Sequence, residues 1–83
     1  MKTLVKNGVS LIVLADNTPV QISDFAEIGW PVTIRFDNAE GLIVLHENVT
    51  PPANYQGKRF LFDGTNWTYN HDWRNPNLTA AKR

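Results

Sequence analysis

The chain has 83 residues, no Cys, two His, and eight basic against eight acidic side chains. That is one domain with no disulfide or thiolate metal site to staple it, so association with other chains is the expected extra source of stability. Zero net charge argues against nucleic acid or an anionic membrane as partner, since both call for clustered Lys and Arg, and it does little to keep copies apart in solution.

In chain order, the opening "MKTLVKNGVSLIVLADN" is broken by Lys6, Asn7 and Gly8. The remaining "VSLIVLA" is at the lower limit for a signal-peptide core, far too short to span a bilayer, and reads as a strand. Asn7-Gly8 ahead of it is a hairpin turn dipeptide; a bulge within one long strand is the other reading. "ADNTP" turns the chain through Asp16, Asn17 and Pro19. "VQIS" is a short strand with Val20 and Ile22 on one face. "DFAEIG" spaces Asp24 and Glu27 as a capping box does and is expected to hold one helical turn, with too few residues to propagate. "WPVTIRF" alternates, with Val32, Ile34 and Phe36 on one face and Thr33 and Arg35 on the other, as in a half-buried strand. "DNAEG" turns into "LIVLH", whose almost continuous apolar run implies burial on both faces, either centrally in a sheet or beneath a neighbouring subunit. "ENVTPPANYQG" is irregular, held extended at Pro51-Pro52, and is expected to cross an edge or end of the sheet.

The stretch "GKRFLFDGTNWTYNHDW" carries a hairpin signal at Asp63-Gly64. A two-residue loop opposes Phe60 to Trp67; a four-residue loop opposes Phe62 to Trp67 and Phe60 to Tyr69. Either register puts Phe60, Phe62, Trp67 and Tyr69 on one face, because side chains alternate with period two. The expected fold is therefore all-β, a small antiparallel β-sandwich or barrel of about six short strands. Residues 1–73 form its single domain, and residues 74–83, "RNPNLTAAKR", form an extended C-terminal tail or arm, frayed or lying on another chain.

Chemistry-bearing motifs are few. His46-Glu47 and His71-Asp72 are sequence neighbours, so on strands they point to opposite faces and form no dyad. His46, His71, Asp63 and Asp72 match no metal-ligand spacing, and Gly57 and Gly64 are isolated turn glycines outside any phosphate-binding loop. No catalytic, cofactor or metal residue is assigned. The aromatics carry three readings. Phe60, Phe62 and Trp67 are core, because large rings do most of the burying in a domain short of apolar volume. Trp67, Tyr69 and Trp73 form a glycan-stacking platform with Asp63 and Asn66 as polar partners. Trp30, Tyr55 and Trp73, bordering loops, are protein-interface anchors, joined by Arg74 and Leu78 of the tail.

The segment "ENVTPPANYQGKRFLFDGTNWTYNHDW" resembles the end of small virion structural proteins of tailed bacteriophages. An opening like "MKTLVKNGVSL" is followed there by segments similar to "HENVTPP" and "GKRFLFDGTNW" and by an Asn-x-Asp-Trp ending. Here these are Asn48 to Pro52, Gly57 to Trp67 and Asn70 to Trp73. The resemblance implies a structural role in a virion assembled in the host cytoplasm, with neither catalysis nor cofactor. Its partners would be other capsid or tail proteins, met in symmetric multi-copy contacts, with no nucleic acid or membrane involved. Within that role, the resemblance implies either a capsid decoration or cement protein or a tail- or fibre-associated protein. The alternative is a glycan- or host-surface-binding module of a phage adhesion apparatus.

Overall fold

The computed structural model describes residues 1–73; residues 74–83, with the expected tail and its Arg74 and Leu78, lie outside the described residues. Eight short antiparallel strands fill the described chain without a helix: β1 (Lys2–Lys6), β2 (Val9–Leu14), β3 (Val20–Ile22), β4 (Phe25–Ile28), β5 (Ile34–Asp37), β6 (Ile43–His46), β7 (Phe60–Phe62) and β8 (Trp67–Tyr69). They form a five-stranded sheet ordered β6-β1-β2-β7-β8 and a three-stranded sheet ordered β3-β4-β5. The all-β expectation holds, with two more strands than the six expected.

The two Gly-containing hairpin signals fold as read. Asn7 and Gly8 both have positive φ, 52° and 81°, which is what a two-residue type I′ connection between twisted strands requires. Around Asp63-Gly64 the register is that of the four-residue loop, with Phe62 opposite Trp67 and Phe60 opposite Tyr69. Asp63 Oδ1 accepts the N–H groups of Thr65 and Asn66 at 2.8 and 2.7 Å, an Asx turn that closes the loop.

"DFAEIG" is no helical turn. Phe25–Ile28 is the central strand of the three-stranded sheet, pairing β3 on one side and β5 on the other. The alternation of Ala26 and Ile28, 0% and 2% exposed, outweighs the local capping signal, since two buried side chains outweigh one turn of unpropagated helix. "LIVLH" is not central. Ile43–His46 is an edge strand that pairs only β1, and although Ile43 is buried, Val44 is 51% exposed.

The five-stranded sheet is covered on both faces. Leu4 stands opposite Ile12 and Leu45. With Ile43 they meet Ala26 and Ile28 of the smaller sheet in one core. On the reverse face Val5, Val49 and Phe62 form a second core with Trp67 against it. This second core is roofed by the irregular segment after β6, which lies over a face of the sheet and not, as expected, across an edge or end. Val49 N–H donates to the Met1 carbonyl at 2.8 Å, and Lys58 N–H to the Ser10 carbonyl at 2.8 Å. A bulge helps seat the roof. Register slips between Leu4 and Val5, leaving Leu11 of β2 without an opposite residue. At that point Gly57 comes so close that a Cβ on it would sit 2.9 Å from the Leu11 carbonyl oxygen, so no side chain fits.

Asn38 pins the corner between the sheets. Its Nδ2 donates to the Ser23 carbonyl at 2.8 Å, its Oδ1 accepts from Ile43 N–H at 2.9 Å, and its own N–H donates to the Asp24 carbonyl. At 6% exposure, these partners replace the water it has given up.

Candidate functional site

The aromatic hairpin is occupied internally. Phe60 and Phe62 are buried, and Trp67 packs on Phe62 with ring centroids 4.4 Å apart. Tyr55 comes down from the roof segment, stacking on Phe60 and meeting Trp67 edge-on. Its hydroxyl ends a directional chain. Thr3 Oγ1 donates to the Ile12 carbonyl at 2.8 Å, so Ser10 Oγ donates to Thr3 Oγ1 at 2.6 Å, and the Tyr55 hydroxyl donates to Ser10 Oγ at 2.8 Å. Thr3 and Ser10 are fully buried, and each hydroxyl is satisfied by the next. Burial pushes the Tyr55 phenol above the ordinary tyrosine value, against the smaller opposing pull of the Ser10 and Thr3 hydroxyls. Tyr55, read as an interface anchor, is thus a bolt between roof and sheet.

The stacking-platform residues are each engaged by other side chains of the chain. Tyr69 lies edge-on to Phe60, at 89° between planes, and edge-on to His71. Trp73 is half-buried beneath the Arg59 guanidinium, whose carbon lies 4.9 Å from the ring centroid. Asp63, whose carboxylate the N–H groups of Asn66 and Thr65 hold below the ordinary aspartate value, is engaged in its own turn. Asn66 is exposed at the hairpin tip. Among the described residues no group of three or more His, Cys, Asp or Glu side chains converges as a metal site, and no helix is long and apolar enough to cross a membrane.

The free apolar surface lies elsewhere. Of the exposed large hydrophobic side chains among the described residues, Ile22, Phe25, Trp30, Val32, Ile34, Leu42 and Val44 fall between residues 22 and 44, and only Met1 and Tyr69 fall outside. Trp30 dominates at 85% exposure. Its turn is firmly framed: Gly29 N–H donates to the Pro19 carbonyl at 2.8 Å, and Thr33 N–H and Oγ1 both donate to the Ile28 carbonyl at 2.9 and 3.3 Å. Gly29 has φ of 90°, and a Cβ there would crowd Thr33 Oγ1 and the Pro31 carbonyl at 3.1 and 3.2 Å. Beside the ring is an open concavity of about 410 Å³, walled by Pro19, Val20, Trp30 and Val32, with Gln21 and Glu27 supplying polar groups. The exposed ring thus stands on a hydrogen-bonded turn beside an apolar groove.

Trp30 was legible from sequence as a loop-bordering ring. Val32 and Ile34 were not, because "WPVTIRF" reads as a half-buried strand. The available signal was the shortness of the neighbouring apolar runs, since strands of three and four residues are too few to cover their own inner face. Compared with known proteins, the chain matches no family model, no curated protein and no solved structure.

Proposed function

We propose that this chain is a non-enzymatic structural protein that works by protein–protein contact, as a component of a bacteriophage virion at the capsid or tail. The observation that carries the contact role is the placement of Trp30. Every other aromatic of the β7–β8 region packs against a ring or guanidinium of the same chain, whereas Trp30 stands in solvent beside a groove. Burying a ring of about 200 Å² at about 25 cal/mol per Å² offers up to about 5 kcal/mol before the costs of association. Repeated around a symmetric particle, such contacts add through avidity. The virion setting is supported by the resemblance of Glu47 to Trp73 to small phage structural proteins. The absence of a preassembled dyad fits a non-catalytic role: the His46 ring packs on Phe62 and the His71 ring on Tyr69. The glycan reading draws less support, because Trp67 packs on Phe62 and Tyr55, Trp73 lies under Arg59, and the Asp63 carboxylate is already engaged.

The test is co-purification with intact particles. Wild-type protein should appear at fixed stoichiometry, and Trp30→Ala should lower its occupancy about tenfold or more, as expected for an interface anchor. The same substitution should leave the isolated fold within about 0.5 kcal/mol of wild type, because an exposed side chain contributes little to folding. Full occupancy of the variant would remove Trp30 from the contact. Absence of the wild-type chain from particles would overturn the virion setting.

A further inference from the structure

The charge of the chain is zero overall but unevenly placed. Residues 15–42, which build the three-stranded sheet and its connections, carry Asp16, Asp24, Glu27, Asp37 and Glu40 against Arg35 alone, a net charge of −4; residues 74–83 carry Arg74, Lys82 and Arg83 and no acid, a net charge of +3. Two of the five acids are accounted for. Asp16 pairs with the Met1 amino group at 3.0 Å, and Glu27 with Arg35 at 3.4 Å. Asp24, Asp37 and Glu40 are exposed and have no ion-pair partner among the described residues.

These three acids mark one end of the smaller sheet. Asp37 is opposite Phe25 in the β4–β5 ladder, and Asp24 accepts the Asn38 N–H through its carbonyl. The Trp30 groove marks the other end, where Gly29 bonds to Pro19 ahead of β3. Between the two ends lies β4, Phe25–Ile28, about 10 Å of extended strand, and the turn at Gly29 and Trp30 adds to it. In residues 74–83, Leu78 is followed four and five residues later by Lys82 and Arg83, about 13–17 Å on in an extended segment. One large apolar side chain and a pair of cations are therefore spaced as the groove and the acidic end are spaced.

We infer that the groove beside Trp30 receives residues 74–83 of a second copy of this chain, Leu78 entering between Pro19, Trp30 and Val32 while Lys82 and Arg83 reach Asp24, Asp37 and Glu40. This rests on the contact role proposed above and gives that role a partner, another copy, and a polarity. The contact is head-to-tail: each copy offers a groove and a segment, so it propagates into a ring if the rotation closes and into a row if it does not. Opposite charges at the acidic end set the register, and the apolar groove supplies the anchor.

The test is sedimentation of the full-length chain over micromolar to millimolar concentrations. Wild type should associate with increasing concentration, and less at high salt. Trp30→Ala, and separately the combined variant Leu78→Asp, Lys82→Glu, Arg83→Glu, should each associate at least about tenfold more weakly. Trp30 is exposed, and neither variant changes a side chain of the two cores among the described residues. Mixed in equal amounts, the two variants should recover association and stop at a dimer, because one still has a working segment and the other a working groove. A wild type that stays monomeric throughout, a segment variant that associates like wild type, or a mixture that stays monomeric would each overturn the inference. If any of these occurs while wild-type protein still co-purifies with particles, the contact role stands and only this partner is lost.

Discussion

Two polar side chains, the buried Asn38 and the half-buried Tyr55, carry more of this fold than their size suggests. Asn38 satisfies the Ser23 carbonyl and the Ile43 N–H, which lie on different sheets' approaches. Asn38→Ala leaves both without their side-chain partner, and urea unfolding should show a loss of about 2–3 kcal/mol. Asn38→Asp keeps the acceptor for Ile43 but loses the donor to Ser23, so it should fall in between. Tyr55 makes a different prediction, because its phenol titrates. Burial raises its folded-state value above the ordinary one, so the folded chain holds the proton to higher pH than the unfolded chain does. The stabilisation is complete below the ordinary tyrosine value and is lost as pH rises through the higher, folded one. Tyr55→Phe should therefore cost about 1 kcal/mol at neutral pH. Its deficit against wild type should shrink above about pH 10, read as converging urea midpoints.

At the scale of elements, the hairpins were the most legible part of the sequence. Asn7-Gly8 and Asp63-Gly64 specify their turns with residues at most three positions apart, and nothing distant has to agree. Asp63 extends that local logic to pH. Its carboxylate accepts two backbone N–H groups and is held below the ordinary value. The contribution it makes is present above the ordinary aspartate value and disappears as pH falls through the folded one. Asp63→Ala should flatten this acid limb, and the Trp67 near-ultraviolet circular dichroism should show the β7–β8 turn loosening first. β4 was misread for the opposite reason. Asp24 and Glu27 carry a helix-start spacing, while the evidence for a strand is Ala26 and Ile28 burying against Leu4 and Ile43, partners about twenty residues away on either side. The site followed the same rule. That Trp30 sits in a turn was readable; that Tyr55 does not reach outward was not, because Ser10, its partner, is 45 positions away.

For the molecule as a whole, the layout is unequal. The larger sheet is packed on both faces, and β1 is hydrogen-bonded on both edges, to β2 and β6. Among the described residues the smaller sheet is packed on one face only, and its Ile22 and Ile34 reach past the core to 39% exposure each. Stability should be graded accordingly. Amide hydrogens of Leu4 and Val5 should exchange only through global unfolding, and those of Gln21 and Arg35 about a hundredfold faster through local opening. Uniform protection across both sheets would show that they open as one unit. The gradient also suits the division of labour proposed here, in which the rigid sheet scaffolds and the thinner one meets a partner.

The double covering of the first hairpin has a consequence during synthesis. β1 and β2 are complete at Leu14, yet one cover comes from residues 20–36 and the other from residues 49–67. At about 5–20 residues per second, roughly 3–10 s pass between the making of the ribbon and the arrival of its last lid. Throughout that interval "VSLIVL" shows two oily sides and an open rim to every nascent neighbour. Slower translation lengthens the interval, so the yield of this protein is set by how quickly the ribosome reaches Trp67 as well as by how stable the finished sandwich is.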